Sequence, residues 1–132
     1  MAQQLGLVSI LVADYDEAIA FYTEKLGFDL VEDSPQGAKR WVVVAPRQSS
    51  GCALLLAKAS DANQQAMIGQ QGAGRVWLFL RTDDFWGDYQ RMLAAGVQFL
   101  EQPREEIYAT VVVFCDLYGN KWDLLQPKAT LY

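Results

Sequence analysis

One arrangement occurs twice along this chain. A strand, a helix and three further strands run from Leu5 to Ala57, and the same order returns from Arg75 to Pro127. An offset of 68 residues places Leu7 over Arg75, Phe21 over Tyr89 and Leu55 over Asp123, and Gly27 falls over Gly96 with one extra residue. A βαβββ unit covers one face of its sheet with its helix and leaves the other face open. Two such units in tandem predict an α+β fold, in which curved mixed sheets related by a pseudo-twofold axis surround a cleft. The expected organisation is a single domain over residues 1–132, made of modules 5–57 and 75–127 joined by a linker over 58–74.

The local signals support this order. Leu5 to Ala13 alternates as a strand, Asp14 offers an N-cap and Glu17 completes a capping box. The helix Tyr15 to Leu26 carries Ala18, Phe21, Tyr22 and Leu26 on one stripe and ends at Gly27. Phe28 to Glu32 resumes as a strand, Ser34 to Lys39 turns, and Arg40 to Ala45 and Cys52 to Ala57 are strands. The second half repeats the order. Arg75 to Leu80 is a strand, and Thr82 or Asp83 caps a helix reaching Ala95 with Phe85, Tyr89, Met92 and Leu93 on its apolar side. Val97 to Leu100 follows, Pro103 to Glu106 turns, and Ile107 to Phe114 pairs with Lys121 to Leu125. Lys58 to Gly74 is polar, with one short helical turn around Ala62 to Ile68, and serves as a linker or a lid. Thr130, Leu131 and Tyr132 form a tail with no assigned element.

The final hairpin, VVVFCDLYGNKWDLLQ from Val111 to Gln126, frames the functional question. Alternation puts Trp122 and Leu124 on one face and Lys121, Asp123 and Leu125 on the other. Asp123 is thus a carboxylate in the middle of an apolar strand.

Composition narrows the chemistry. The net charge of −5 argues against DNA, RNA or an anionic membrane as partner. No apolar run reaches the length of about 18 residues that a membrane span needs. Histidine is absent, which removes a His base, every Ser–His or Cys–His arrangement and every His-containing metal site. The opening MAQQLG lacks a basic start followed by an apolar segment, so a cytoplasmic location is expected. Cys52 and Cys115 read as reduced, buried thiols in that setting.

The stretch DYDEAIAFYTEKLGF (Asp14 to Phe28), the stretch CDLYGNKWDL (Cys115 to Leu124) and the paired units together resemble the vicinal oxygen chelate superfamily. That superfamily includes glyoxalase I, extradiol dioxygenases, fosfomycin-resistance enzymes and bleomycin-binding proteins. The resemblance spans Leu5 to Pro127 and implies the glyoxalase/bleomycin resistance/dioxygenase fold and a homodimer. Its metal-using members place four ligands on cavity-facing strands, at positions that look like Leu7, Leu55, Arg75 and Asp123 here. Glyoxalase-like members carry His or Gln, Glu, His and Glu there. Two leucines cannot ligate, and an arginine repels a cation. No metal and no cofactor is therefore expected at this location.

Strand alternation places Leu7, Ser9, Leu55, Arg75, Trp77, Phe79 and Asp123 on the cleft wall, with Trp41 at its rim. Such a lining suits a small organic ligand with a flat part and a polar end. Arg75 offers a bidentate contact to an anionic group, and Trp77 and Phe79 offer stacking. Alternatively, Arg75 and Asp123 pair with each other. Glu101, Glu105 and Glu106 read as solvated turn charges. Three functions stay open: metal-independent small-molecule binding of the bleomycin-resistance type, a lyase, isomerase or dioxygenase with a relocated metal, and a structural or partner-binding module with a filled cleft.

Overall fold

In each half of the chain the first strand lies parallel to the last, so the closing strand sits inside its sheet rather than at an edge. The computed structural model describes residues 1–128. The chain divides into two compact units, Met1–Ile68 and Gly69–Tyr132. The tail residues Thr130, Leu131 and Tyr132 lie outside the described residues.

The first unit contains β1 (Leu7–Val12), α1 (Tyr15–Ala20) continued by a π-helical turn (Phe21–Lys25), β2 (Asp29–Gln36), β3 (Lys39–Ala45), β4 (Ala53–Lys58) and α2 (Ala62–Met67). The sheet order is β1-β4-β3-β2. The predicted cap forms, with Asp14 accepting from the Glu17 amide at 2.9 Å. One sheet face buries Ile10, Val12, Val42, Val44, Leu54 and Leu56, and the helix supplies buried Ala18, Phe21, Tyr22 and Leu26. β2 runs further than expected, because Ser34, Pro35 and Gln36 stay paired with Trp41, Arg40 and Lys39. Pro35 is tolerated because β2 is an edge strand, where a missing amide donor is not needed by a second neighbour. Arg40 links this hairpin to the helix start, bonding Asp33 at 2.7 Å and Asp16 at 3.0 Å.

The second unit contains β5 (Val76–Arg81), α3 (Phe85–Ala94), β6 (Gln98–Phe99), β7 (Arg104–Glu105), β8 (Ala109–Cys115) and β9 (Lys121–Pro127). Its order is β5-β9-β8-β6, with β7 also paired to β8. The cap of α3 is Asp84, rather than Thr82 or Asp83. Thr82 instead accepts from the Asp84 amide at 3.0 Å. Phe85, Tyr89 and Met92 of α3 are buried, as are Val112, Phe114, Trp122 and Leu124 of β8 and β9. Rings run from Tyr89 through Phe99 and Phe114 to Trp122, with successive centroids 4.7, 6.1 and 5.8 Å apart. The strand expected at Val97 to Leu100 is shortened to β6, and part of the expected turn at Pro103 to Glu106 is β7. Pro103 has no amide to give, so the edge strand leaves the ladder just before it.

The predicted turn after β8 is closed by Asp116. Its Oδ1 accepts from the amides of Tyr118 (3.0 Å) and Asn120 (2.9 Å), and its Oδ2 accepts from Asn120 Nδ2 (2.8 Å). Among the described residues no helix is long and apolar enough to cross a membrane.

Gly69 opens the second unit with φ of +75°, and a Cβ there would lie 2.0 Å from the Tyr118 carbonyl oxygen. Gly74 has φ of +86° but open space around it. Gly69→Ala should therefore lower stability by about 3 kcal/mol, from backbone strain plus a backbone clash, and Gly74→Ala by about 1 kcal/mol from strain alone. Urea unfolding midpoints measure both, and equal losses would contradict the close approach at Gly69.

Candidate functional site

Asp123 lies in the middle of β9, with Phe79 of β5 and Val113 of β8 as its register partners. Residues opposite each other in a sheet share a face, so these three side chains stand together. Trp122 and Leu124 take the other face, which carries the buried core. Asp123 and Leu125 thus occupy the side that alternation predicted. Phe79 is 63% exposed on that side, although its neighbour Leu125 is buried. The Asp123 Oδ1 atom is buried and has no hydrogen-bond partner among the described residues. Burial pushes the Asp123 carboxyl above the usual carboxylate range; Arg104 pulls it down and Glu101 pushes it up.

A bulge in β5 decides which residues join Asp123. Val76 pairs with Lys121 and Leu78 with Trp122, leaving Trp77 without a register partner. The pairing is already one residue off the internal repeat at Val76, and the bulge adds a second. Ser9 faces Leu55 in the first unit, whereas Phe79 faces Asp123 in the second. Arg75 precedes β5, and its amide donates to the Gly72 carbonyl at 3.0 Å. Among the described residues no ion pair joins Arg75 to Asp123. Trp77 is half-buried and lies close to Gly72, where an added Cβ would meet its own Cβ at 2.8 Å. Uniform alternation therefore placed Phe79 correctly beside Asp123 and did not anticipate the break at Trp77.

The cation that acts on Asp123 is Arg104. Its register partner Val111 sits opposite Leu125, which places Arg104 on the Asp123 face. Its Nε donates to both Glu101 carboxylate oxygens at 3.1 and 3.0 Å, and its Nη1 donates to Glu106 at 2.9 Å. Glu101 also accepts from the Val113 amide at 3.1 Å. Glu101 and Glu106 are thus fixed by structure rather than simply solvated. Glu101 fills the ladder position vacated where the edge strand breaks, and Glu105 bonds Thr110. The only sequence hint was Glu101 three residues before Arg104 with Pro103 between them. That hint is uninformative until the broken edge is known.

In the first unit, Ser9 is in register with Leu55, and Leu55 with Val43. Alternation along β1 and β3 adds Leu7 and Trp41 to the same face. Leu7 and Ser9 are exposed, while Leu55 and Trp41 are half-buried.

The donor set does not fit a divalent ion. Leu7 and Leu55 have no donor atom, Arg75 stands outside its strand, and the residue beside Asp123 is Phe79. The nearby Glu101 carboxylate is engaged by Arg104 and the Val113 amide. Among the described residues no three His, Cys, Asp or Glu side chains gather as a metal site. The cysteines are free thiols. Cys115 is buried as expected, its thiol pushed up by desolvation and so a weak nucleophile. Cys52 is half-buried, because it falls just ahead of β4 rather than within it.

A carboxyl raised by burial favours the folded state while protonated and opposes it once ionised. Its contribution is present below the unfolded value near pH 4 and is lost as pH rises through the folded value. Asp123→Asn should therefore stabilise the protein at pH 7 relative to the parent, with the advantage vanishing near pH 3.5. Melting temperatures of both proteins across that range test this, and a gap independent of pH would refute it.

Residues 4–124 match the family described as the glyoxalase/bleomycin resistance protein/dioxygenase superfamily. An uncharacterised protein of Shewanella frigidimarina is 56% identical over 128 residues, covering 96% of this chain and 95% of its own. Among solved structures, UcmS2 is 31% identical with a TM-score of 0.83, covering 95% of this chain and 98% of its own. TnmS3, an antibiotic binding protein from Streptomyces sp. CB03234, is 31% identical with a TM-score of 0.80, covering 96% of this chain and 98% of its own. The two mixed sheets with few helices agree with these matches. This chain belongs to the glyoxalase/bleomycin resistance protein/dioxygenase superfamily.

Proposed function

We propose that this protein binds a small, partly aromatic or amphipathic organic molecule without a metal ion, and that the open sheet face bearing Phe79 and Asp123 is a contact surface. The observation that carries this reading is the juxtaposition of an exposed aromatic ring with a carboxylate whose Oδ1 has no hydrogen-bond partner among the described residues. A stability-driven sequence would place an apolar residue at a central strand position. Exposed Phe79 offers a flat surface for a ligand ring, and Asp123 offers a polar anchor. Likeness to an antibiotic binding protein supports the same class of function. Trp77 near this face, and Leu7, Ser9, Leu55 and Trp41 on the open face of the first unit, are the further residues we assign to ligand contact. Arg75, at the foot of β5, is assigned as a contact for an anionic part of the ligand.

The working form we propose is a cytoplasmic homodimer. Its exposed strand edges are then covered by a partner subunit.

Dialysed protein should contain no stoichiometric Zn, Ni, Fe or Mn, and a broad panel of organic compounds should include some that raise its melting temperature. Chelator should leave those shifts unchanged, and Phe79→Ala should weaken binding about tenfold. Stoichiometric metal that survives dialysis and is lost in Asp123→Ala would overturn the proposal in favour of a metal-dependent enzyme.

A further inference from the structure

The charges around Asp123 say more about what it receives. Two charged groups act on it, Arg104 and Glu101, and they are bonded to each other at 3.0 Å. Arg104 is also bonded to Glu106. Its cationic charge is thus already met by two carboxylates, and it acts on Asp123 only through space, with no ion pair between them among the described residues. Lys121 shares the Asp123 face on β9, but its Nζ is directed to the Gly74 carbonyl at 3.0 Å. Arg81 sits opposite Leu125, two residues beyond Phe79 on β5. No ion pair joins either of them to Asp123 among the described residues. Across β8 the partner is uncharged Val113, and across β5 it is Phe79. A carboxylate that no side chain among the described residues meets in an ion pair, and whose one acting cation is already bonded to two other acids, stands here beside an exposed ring, the arrangement that recognises an organic cation. The acid supplies the charge-assisted hydrogen bond, and the ring face supplies attraction to the same positive group.

We propose that the group received at Asp123 is a basic nitrogen, an amine or amidine protonated at neutral pH, attached to an apolar or aromatic body that lies on Phe79. This rests on the small-molecule reading above and adds the charge of the ligand to it. A neutral acceptor such as a carbonyl would need Asp123 protonated, and an anion would meet an uncompensated acid. Binding of a cation must favour the ionised acid. Its affinity should therefore decline as pH falls through the Asp123 titration, the reverse of what a neutral acceptor would show.

Three matched probes separate these cases: 2-naphthylmethylamine, 2-naphthylmethanol and 2-naphthoate, titrated by NMR against the full-length protein at pH 7.5. The amine should bind at least tenfold more tightly than the alcohol, and the carboxylate more weakly than either. Asp123→Asn should abolish the preference for the amine over the alcohol. Phe79→Ala should weaken amine and alcohol alike. Lowering the pH through the Asp123 titration should weaken the amine more than the alcohol. Equal binding of amine and alcohol, with both still dependent on Phe79, would overturn the cation assignment and leave small-molecule binding standing. Binding of none of the three at millimolar concentration would overturn the assignment and count against the face itself.

Discussion

Parallel pairing of β5 with β9 is the constraint on which the second unit depends. It makes the last strand an interior strand, hydrogen-bonded on both sides, and so brings Asp123 to the middle of a sheet. An interior position strips water from side chains on both faces. Trp122 and Leu124 answer this on the core side with apolar bulk, and Asp123 answers it on the other side with a charge. The raised carboxyl follows directly, since desolvation is the largest influence on it.

The bulge at Trp77 and the break between β6 and β7 adjust the surroundings of that acid from opposite sides. The first brings Phe79 into register with it, where the undisturbed repeat would have put another residue. The second lets the chain fold back so that Glu101 reaches the Val113 amide and binds Arg104. Bulges and broken edges weaken a ladder locally. In both places the irregularity sets which chemistry stands beside Asp123. The second unit has thus diverged from the first at the points where its open face acquires polar character. The first unit keeps Ser9 and Leu55 at the corresponding pair.

The family membership and the site pull apart in a useful way. The superfamily to which the chain belongs spans glyoxalases, bleomycin resistance proteins and dioxygenases, so membership alone does not set the chemistry. Among the described residues, Leu7 and Leu55 on the open face of the first unit are hydrocarbon, and Asp123 in the second stands beside Phe79, so neither face presents a donor shell for an ion. Function in such a fold is set by the few residues on the open faces, while the helix-covered faces preserve the architecture.

Much of the architecture was legible because it depends on local periodicity and caps. Asp14, Asp116, the helix stripe of Ala18, Phe21 and Tyr22, and the alternation of β9 each carry their message within a few residues. Element ends were less legible. Ser34 to Gln36 resembled a turn because Pro35 is a poor interior strand residue, and only its edge position makes it acceptable. Arg75 was projected onto the Asp123 face by counting along the repeat, but β5 begins after it, and the bulge between Val76 and Leu78 leaves Val76, opposite Lys121, on that face instead. Glu101 and Arg104 were invisible as charges acting on Asp123, since their proximity exists only once β7 has folded onto β8. The sequence by itself determined two βαβββ units, a buried helix-facing core and an isolated acid in a central strand, because these follow from spacing. Tertiary structure alone decided which ring and which ion pair stand beside that acid, because register between strands distant in sequence is set by pairing, not by the chain's own count.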